Sequence, residues 1–192
     1  MRLSTTVISM VTGSCISLLI AFSILNVEAQ VLNTTNAATT TPTSTSSINV
    51  TIGDLVLESK DVPLGIRVLD SGVGQTIEPK IESSYFGNST LRGGINATNI
   101  FTVKSTTKPD GSIHSEGQGI LTSTSTGEIA TYTFKAVGQY GSDGKLRNHG
   151  PVFFYTNSPP TGQLFFLKNM IGIFADEIDR AGNDVTKVWE LN

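Results

Sequence analysis

Turn signals punctuate the second half of this chain at nearly even intervals, and that spacing constrains the fold more than any other feature. The signals are Pro109-Asp110-Gly111, Ser125-Thr126-Gly127, Ser142-Asp143-Gly144, Pro159-Pro160-Thr161-Gly162 and Arg180-Ala181-Gly182-Asn183. Their glycines, at 111, 127, 144, 162 and 182, stand 16, 17, 18 and 20 residues apart. Glycine accepts the positive φ of a tight hairpin turn, and proline and aspartate favour its leading positions. The segments between are rich in Thr, Val, Ile, Phe and Tyr, which favour pleated strands. Over 128–140, Ala130, Tyr132, Phe134, Ala136 and Tyr140 alternate with Thr131, Thr133, Lys135 and Gln139. That period of two gives one apolar and one polar face. Met170 to Ile178 is the stretch most compatible with a helix, yet its β-branched and aromatic residues favour a strand.

The pattern predicts strands over 49–58, 64–70, 80–91, 95–106, 112–122, 128–140, 145–157 and 163–178, with a closing strand over 184–190. The second of these carries the weakest signal. Most are about twice the usual five or six residues. Long hairpin-linked strands with one polar face point to an all-β fold, an eight-stranded antiparallel up-and-down barrel over 48–192. Closure removes the exposed edges that would template aggregation. A two-sheet sandwich is the alternative, with shorter strands and closer turns.

The N-terminus has the layout of a secretory signal peptide over 1–29. Arg2 supplies the positive charge, an apolar run includes Ile16, Leu18, Leu19, Ile20, Phe22 and Leu25, and Val27-Glu28-Ala29 offers small residues for cleavage after Ala29. Without cleavage, Val7 to Val27 would be a membrane anchor interrupted by Thr12, Gly13 and Ser14, and the only membrane contact. Either way the expected location is secreted or on the cell-envelope surface. Cys15, the single cysteine, lies within this run, so cleavage leaves no disulfide, thiolate nucleophile or cysteine-bound metal. Residues 30–47 read as a flexible Ser/Thr/Asn-rich linker, too polar to repay ordering. Asn-x-Ser/Thr sequons at Asn33, Asn49, Asn88 and Asn96 are candidate glycan acceptors in an exported chain.

A resemblance covers about residues 80–191. Gly117-Gln118-Gly119, Gly127-Glu128-Ile129-Ala130-Thr131-Tyr132-Thr133, Phe153-Phe154-Tyr155-Thr156, Leu164-Phe165-Phe166-Leu167, Gly172-Ile173-Phe174 and Val188-Trp189-Glu190 carry it. They look like a motif of small, uncharacterised prokaryotic proteins. Those proteins resemble the eight-stranded barrels of plant allene oxide cyclases and dirigent proteins, within the calycin-like group. The resemblance implies a barrel; it brings none of the cyclases' catalytic residues onto this chain.

Composition narrows the functions. Charged residues make up 15% and the net charge is −3, which gives no electrostatic case for a nucleic-acid partner. No Ser/His/Asp order or dinucleotide fingerprint appears, and Gly117-Gln118-Gly119 marks a bulge or close packing in a strand. No cofactor or metal is expected. His114 and His149, the only histidines, read as exposed strand residues. Asp176, Glu177, Asp179 and Asp184 crowd the Gly182 turn, where local turn chemistry is the simpler reading than calcium binding. Glu128 and Asn148 are the catalytic candidates, with Glu116 and Glu190 comparable, each dependent on facing inward. Tyr132, Phe134, Phe154, Phe165, Phe174 and Trp189 would line a ligand cavity or fill the core. Three readings follow: a barrel binding a small apolar ligand, a cofactor-free cyclase or isomerase, and an envelope or adhesion module.

Overall fold

The computed structural model describes residues 49–72 and 78–192. The expectations for 1–29 and 30–47, with Cys15 and Asn33, lie outside the described residues. Eight strands follow: β1 (Ile52–Asp70), β2 (Lys80–Leu91), β3 (Ile95–Thr107), β4 (Ile113–Ser123), β5 (Ile129–Tyr140), β6 (Leu146–Thr156), β7 (Ile171–Ile178) and β8 (Asp184–Leu191). They pair antiparallel in chain order, and β8 closes onto β1. The fold is the eight-stranded up-and-down barrel that the turn spacing implies.

Two strands differ from expectation. The segments 49–58 and 64–70 are parts of one strand, the 19-residue β1. It bends at register shifts between Pro63 and Gly65 and between Val68 and Asp70. Pro63 has no N–H for the ladder, so the pairing slips there instead of ending. The segment 163–178 is strand only from Ile171. Before it, Phe165–Leu167 form a 3-10 turn. Residues three apart eclipse in that geometry, so Leu164 and Leu167 fall on one side, and both are fully buried. With Met170 they cap a cluster of Val56, Leu91, Ala97, Leu121 and Ala130. Burying each leucine contributes about 2 kcal/mol.

This plug seals one end of the barrel, and Glu128 fastens it. The Glu128 carboxylate accepts hydrogen bonds from the Leu164 N–H at 2.9 Å, the Gln163 N–H at 3.1 Å and the Ser158 hydroxyl at 2.8 Å. Those bonds, Leu164 first, hold its carboxyl below the usual range. At the same end Arg92 pairs with Glu190 at 2.8 Å and lies 4.9 Å from the centre of the Phe166 ring.

Interior volume is distributed in cross-strand pairs. Gly117 opposes Phe134 and Gly119 opposes Tyr132; a Cβ at either glycine would collide with the facing ring. Register is unbroken on both sides of β4, so Gly117-Gln118-Gly119 marks close packing and not a bulge. Gly87 opposes Asp61 and Gly138 opposes Asn148 in the same way.

Candidate functional site

The other end of the barrel is open. The turns around Gly144 and Gly182 and the β1 bend at Pro63 ring a chamber of about 470 Å³. Aromatic rings form its wall. Tyr85 stacks on Phe101 at 4.8 Å, Phe101 meets Phe134 edge-on at 6.2 Å, and Phe134 meets Phe174 edge-on at 5.5 Å. Such contacts fix ring orientation beyond simple burial. Asp176, Asp184 and Asn148 stand at the depth of the chamber. A smaller space of about 50 Å³ lies further in, beside Ser59, Asn99, Tyr132 and Phe154. Phe101, Phe134, Asp176 and Asp184 border both.

Strand parity places the acids inside. Phe174 and Val188 are buried in the core, so Asp176, two residues on, and Asp184, four residues back, share their inward face. Asp61 follows Leu57 and Ser59 into the interior. Asp61 sits directly opposite Asp184 across β1 and β8. Asp176 opposes Thr186, which leaves it one diagonal step from Asp184, about 7 to 8 Å between Cα atoms. Three carboxylates on three adjacent strands therefore face one another, 3% exposed at Asp184 and 2% at Asp61.

Their hydrogen bonds come from neutral groups. Asp61 accepts from the Ser59 hydroxyl at 2.6 Å and the Asn99 amide at 3.0 Å. Asn99 in turn accepts from the Tyr132 hydroxyl at 2.7 Å. Asp176 Oδ1 accepts from the Asn148 side-chain amide at 2.7 Å and its backbone N–H at 3.3 Å. Asp184 accepts from the Thr186 hydroxyl. Burial raises all three carboxyl pKa values. Asp61 rises despite the Ser59 and Asn99 bonds. Asp176 rises to about 6 through burial, against the Asn148 bonds and the His149 charge. Asp184 rises to about 8, by burial first and then the charges of Asp176 and Asp61. Burial and the same aspartates push Tyr85 up to about 12, and burial with the Asp61 charge raises Tyr132. The cluster thus holds and releases protons near neutrality, as coupled carboxylates do.

The expected site residues divide between the two ends. Asn148 is inward, in the chamber beside Asp176. Glu128 lies at the sealed end as a loop fastener, Glu190 pairs with Arg92 there, and Glu116 is exposed on the outer face. Tyr132, Phe134, Phe154 and Phe174 surround the inner space. Phe165 belongs to the plug, near Lys168. Trp189 alternates with inward Val188 and pairs with Leu55 and Ile173, on the outward face. His114 and His149 are exposed on the outer surface, on either side of Val137 in register. Among the described residues no group of three His, Cys, Asp or Glu has metal-binding geometry. Asn49, Asn88 and Asn96 are exposed.

The acidic group near Gly182 is split. Asp179 does perform turn chemistry, accepting from the Ala181 and Asn183 N–H groups at 2.8 and 2.9 Å. Glu177 pairs outside with Lys145 and Arg147. Asp176 and Asp184 instead turn inward, which corrects the reading of the whole group as a turn. Sequence reasoning also passed over Asp61, Tyr85 and Asn99. The available signal was the two-residue step from apolar neighbours: Leu57 to Ser59 to Asp61, and Phe174 to Asp176.

On the outside, Phe86, Ile100 and Ile120 align in register across β2, β3 and β4, and Phe153 and Tyr155 continue the exposed apolar surface on β6.

Comparison with known proteins supports the architecture and stops there. No family model and no curated protein matches the chain. Two solved structures share the fold. A protein of unknown function from Clostridium acetobutylicum ATCC 824 aligns with a TM-score of 0.60 at 10% identity, over 76% of this chain and 99% of its own. A conserved protein of unknown function from Rhodopseudomonas palustris aligns at 0.55 and 12% identity, over 76% and 100%.

Proposed function

We propose that this protein is an exported barrel that binds a small, largely apolar molecule in the chamber at its open end. The observation that carries this reading is the 470 Å³ chamber itself, walled by aromatic rings with a few convergent polar groups at its depth. Ligand sites in general have that size and make-up. The plug closes the opposite end, so the chamber has one entrance. Export rests on the N-terminal sequence, which predicts a mature chain starting at Gln30.

Titration with the neutral fluorophore N-phenylnaphthylamine tests the binding reading. Emission should rise on binding the wild-type protein. It should stay flat with Ser115→Phe, which places a ring in the chamber at an inward position, provided circular dichroism shows the same strand content. Equal emission from both proteins would refute the chamber as the binding site.

One arrangement favours a second reading, a cofactor-free cyclase or isomerase of the kind that the allene oxide cyclase and dirigent resemblance suggests. Asn148 and Asp176 face inward at hydrogen-bonding distance, where a carboxylate near neutrality could transfer a proton to or from a bound substrate. The apolar outer surface around Ile100, Ile120, Phe153 and Tyr155 supports the envelope-module alternative.

A further inference from the structure

The polar groups at the depth of the chamber are unbalanced in two respects. Charge is the first. Asp61, Asp176 and Asp184 face the interior, and among the described residues no Lys, Arg or His side chain is in salt-bridge contact with them. Arg180 stands at the rim, where its guanidinium donates to the Asp143 carbonyl at 2.9 and 3.1 Å. Buried carboxylates without a cation are costly to ionise.

Donor supply is the second. The Ser59, Thr186 and Tyr132 hydroxyls and the Asn99 amide are already committed as donors, and the Asn148 amide gives one N–H to Asp176. Acceptors are left over. Asn148 is 7% exposed, and its Oδ1, beside Gly138, has no hydrogen-bond partner. Such an orphan acceptor is uncommon in a folded protein and calls for a donor. Asp176 bonds through Oδ1 alone; its second oxygen has no partner among the described residues. A ligand that brings donors and positive charge would complement this site when its carboxylates are ionised.

We propose that the chamber takes a small organic amine. Its ammonium group sits among Asp176, Asp184 and the Asn148 carbonyl, and its apolar body lies against Tyr85, Phe101 and Phe134. An ammonium offers three donors and no acceptor, which matches the surplus, and the ring faces of the wall attract a cation. This assignment rests on the reading of the barrel as a ligand-binding protein, and it specifies the class of ligand.

Titratable and charged groups surround the site. These are Asp61 on β1, Tyr85 on β2, Tyr132 and Tyr140 on β5, Asp176 on β7 and Asp184 on β8, with His149 acting from outside β6 and Asp179 and Arg180 at the rim. Strands β3 and β4 contribute Ser105 and Ser115, which are hydrogen-bonded to each other. The aspartates must be ionised to hold the cation, so affinity rises from mildly acid to mildly alkaline solution.

Calorimetric titration of the protein with phenethylamine, phenethyl alcohol and hydrocinnamate, which share one body and differ in charge, tests the assignment. The amine should bind at least about tenfold tighter than the alcohol near pH 8.5, with hydrocinnamate weakest, a preference of the size expected for a desolvated charge-assisted contact. The preference should shrink near pH 5, and in Asp176→Asn and in Asp184→Asn. Each variant is close to isosteric and removes charge, and its fold is checked by circular dichroism. Alcohol binding as tight as amine binding would overturn the amine assignment and leave the ligand reading standing. A preference that survives in both variants would overturn the placement. Failure of all three probes would overturn the assignment as well, and the N-phenylnaphthylamine titration then decides separately whether the chamber binds anything.

Discussion

At one end of the barrel Leu164, Leu167 and Met170 fill the interior; at the other, Asp176 and Asp184 line it, with Asp61 paired opposite Asp184. The sealed end is filled from the loop between β6 and β7, and the open end is lined from the strands themselves. The sealed end turns apolar atoms inward and puts its acid, Glu128, on the loop outside, where three donors satisfy it. The open end turns acids inward and gives them neutral hydrogen-bond partners with no cation. The first arrangement serves stability. The second works against it, since each buried carboxylate resists ionisation. The two ends of one barrel thus differ in what their inward positions cost and contribute.

The contrast makes measurable demands. The largest effect belongs to the plug. Leu167→Ala removes a fully buried side chain and should lower unfolding free energy by about 3 kcal/mol in urea titrations. A loss under about 1 kcal/mol would mean that the plug packs on the barrel without belonging to its core. Next is the pH response of the open end. The folded-state pKa values of Asp176 and Asp184 lie above the ordinary carboxylate value, at about 6 and about 8. The folded protein therefore binds more protons than the unfolded chain between pH 4 and 8, and stability should fall as pH rises through that window. Asp184→Asn should flatten the slope, raising stability near pH 8 and changing it little near pH 4. A slope unchanged by the substitution would remove the buried acids from the account.

The smallest effect has the opposite sign. The Glu128 pKa is lowered in the folded state, so its contribution is present above the ordinary carboxylate range and lost as pH falls through the folded value. Glu128→Gln should speed hydrogen exchange at the Gln163 and Leu164 amides near pH 7 while leaving β4 and β5 protected. Uniform deprotection would make the fastener global instead of local. Acid should thus loosen the sealed end and alkali the open one.

The legible parts of the molecule were those fixed by short-range chemistry. The boundaries of β3 to β6 follow from Gly111, Gly127 and Gly144, each with positive φ in its turn. The continuity of β1 was hidden because Pro63 reads as a stop, whereas the strand absorbs it with a register shift. Phe165-Phe166-Leu167 reads as an apolar strand, but the three-residue step between Leu164 and Leu167 suits the plug better than the pleat. Asp176 and Asp184 beside Gly182 look like turn residues, as Asp179 is. Only the facing direction of Phe174 and Val188 separates them, and a strand's facing direction is a tertiary fact. Trp189 failed for the same reason.

The glycines set against Phe134 and Tyr132 have a consequence for assembly. If β4 and β5 met two residues out of step, Tyr132 would face Leu121 or Phe134 would face Ser115, and a ring would press on a side chain where the native pairing offers only backbone. A hairpin joined at the wrong rung would thus carry a steric cost that the native register avoids. Each strand of this pair proofreads the other, and the proof is written in the missing atoms.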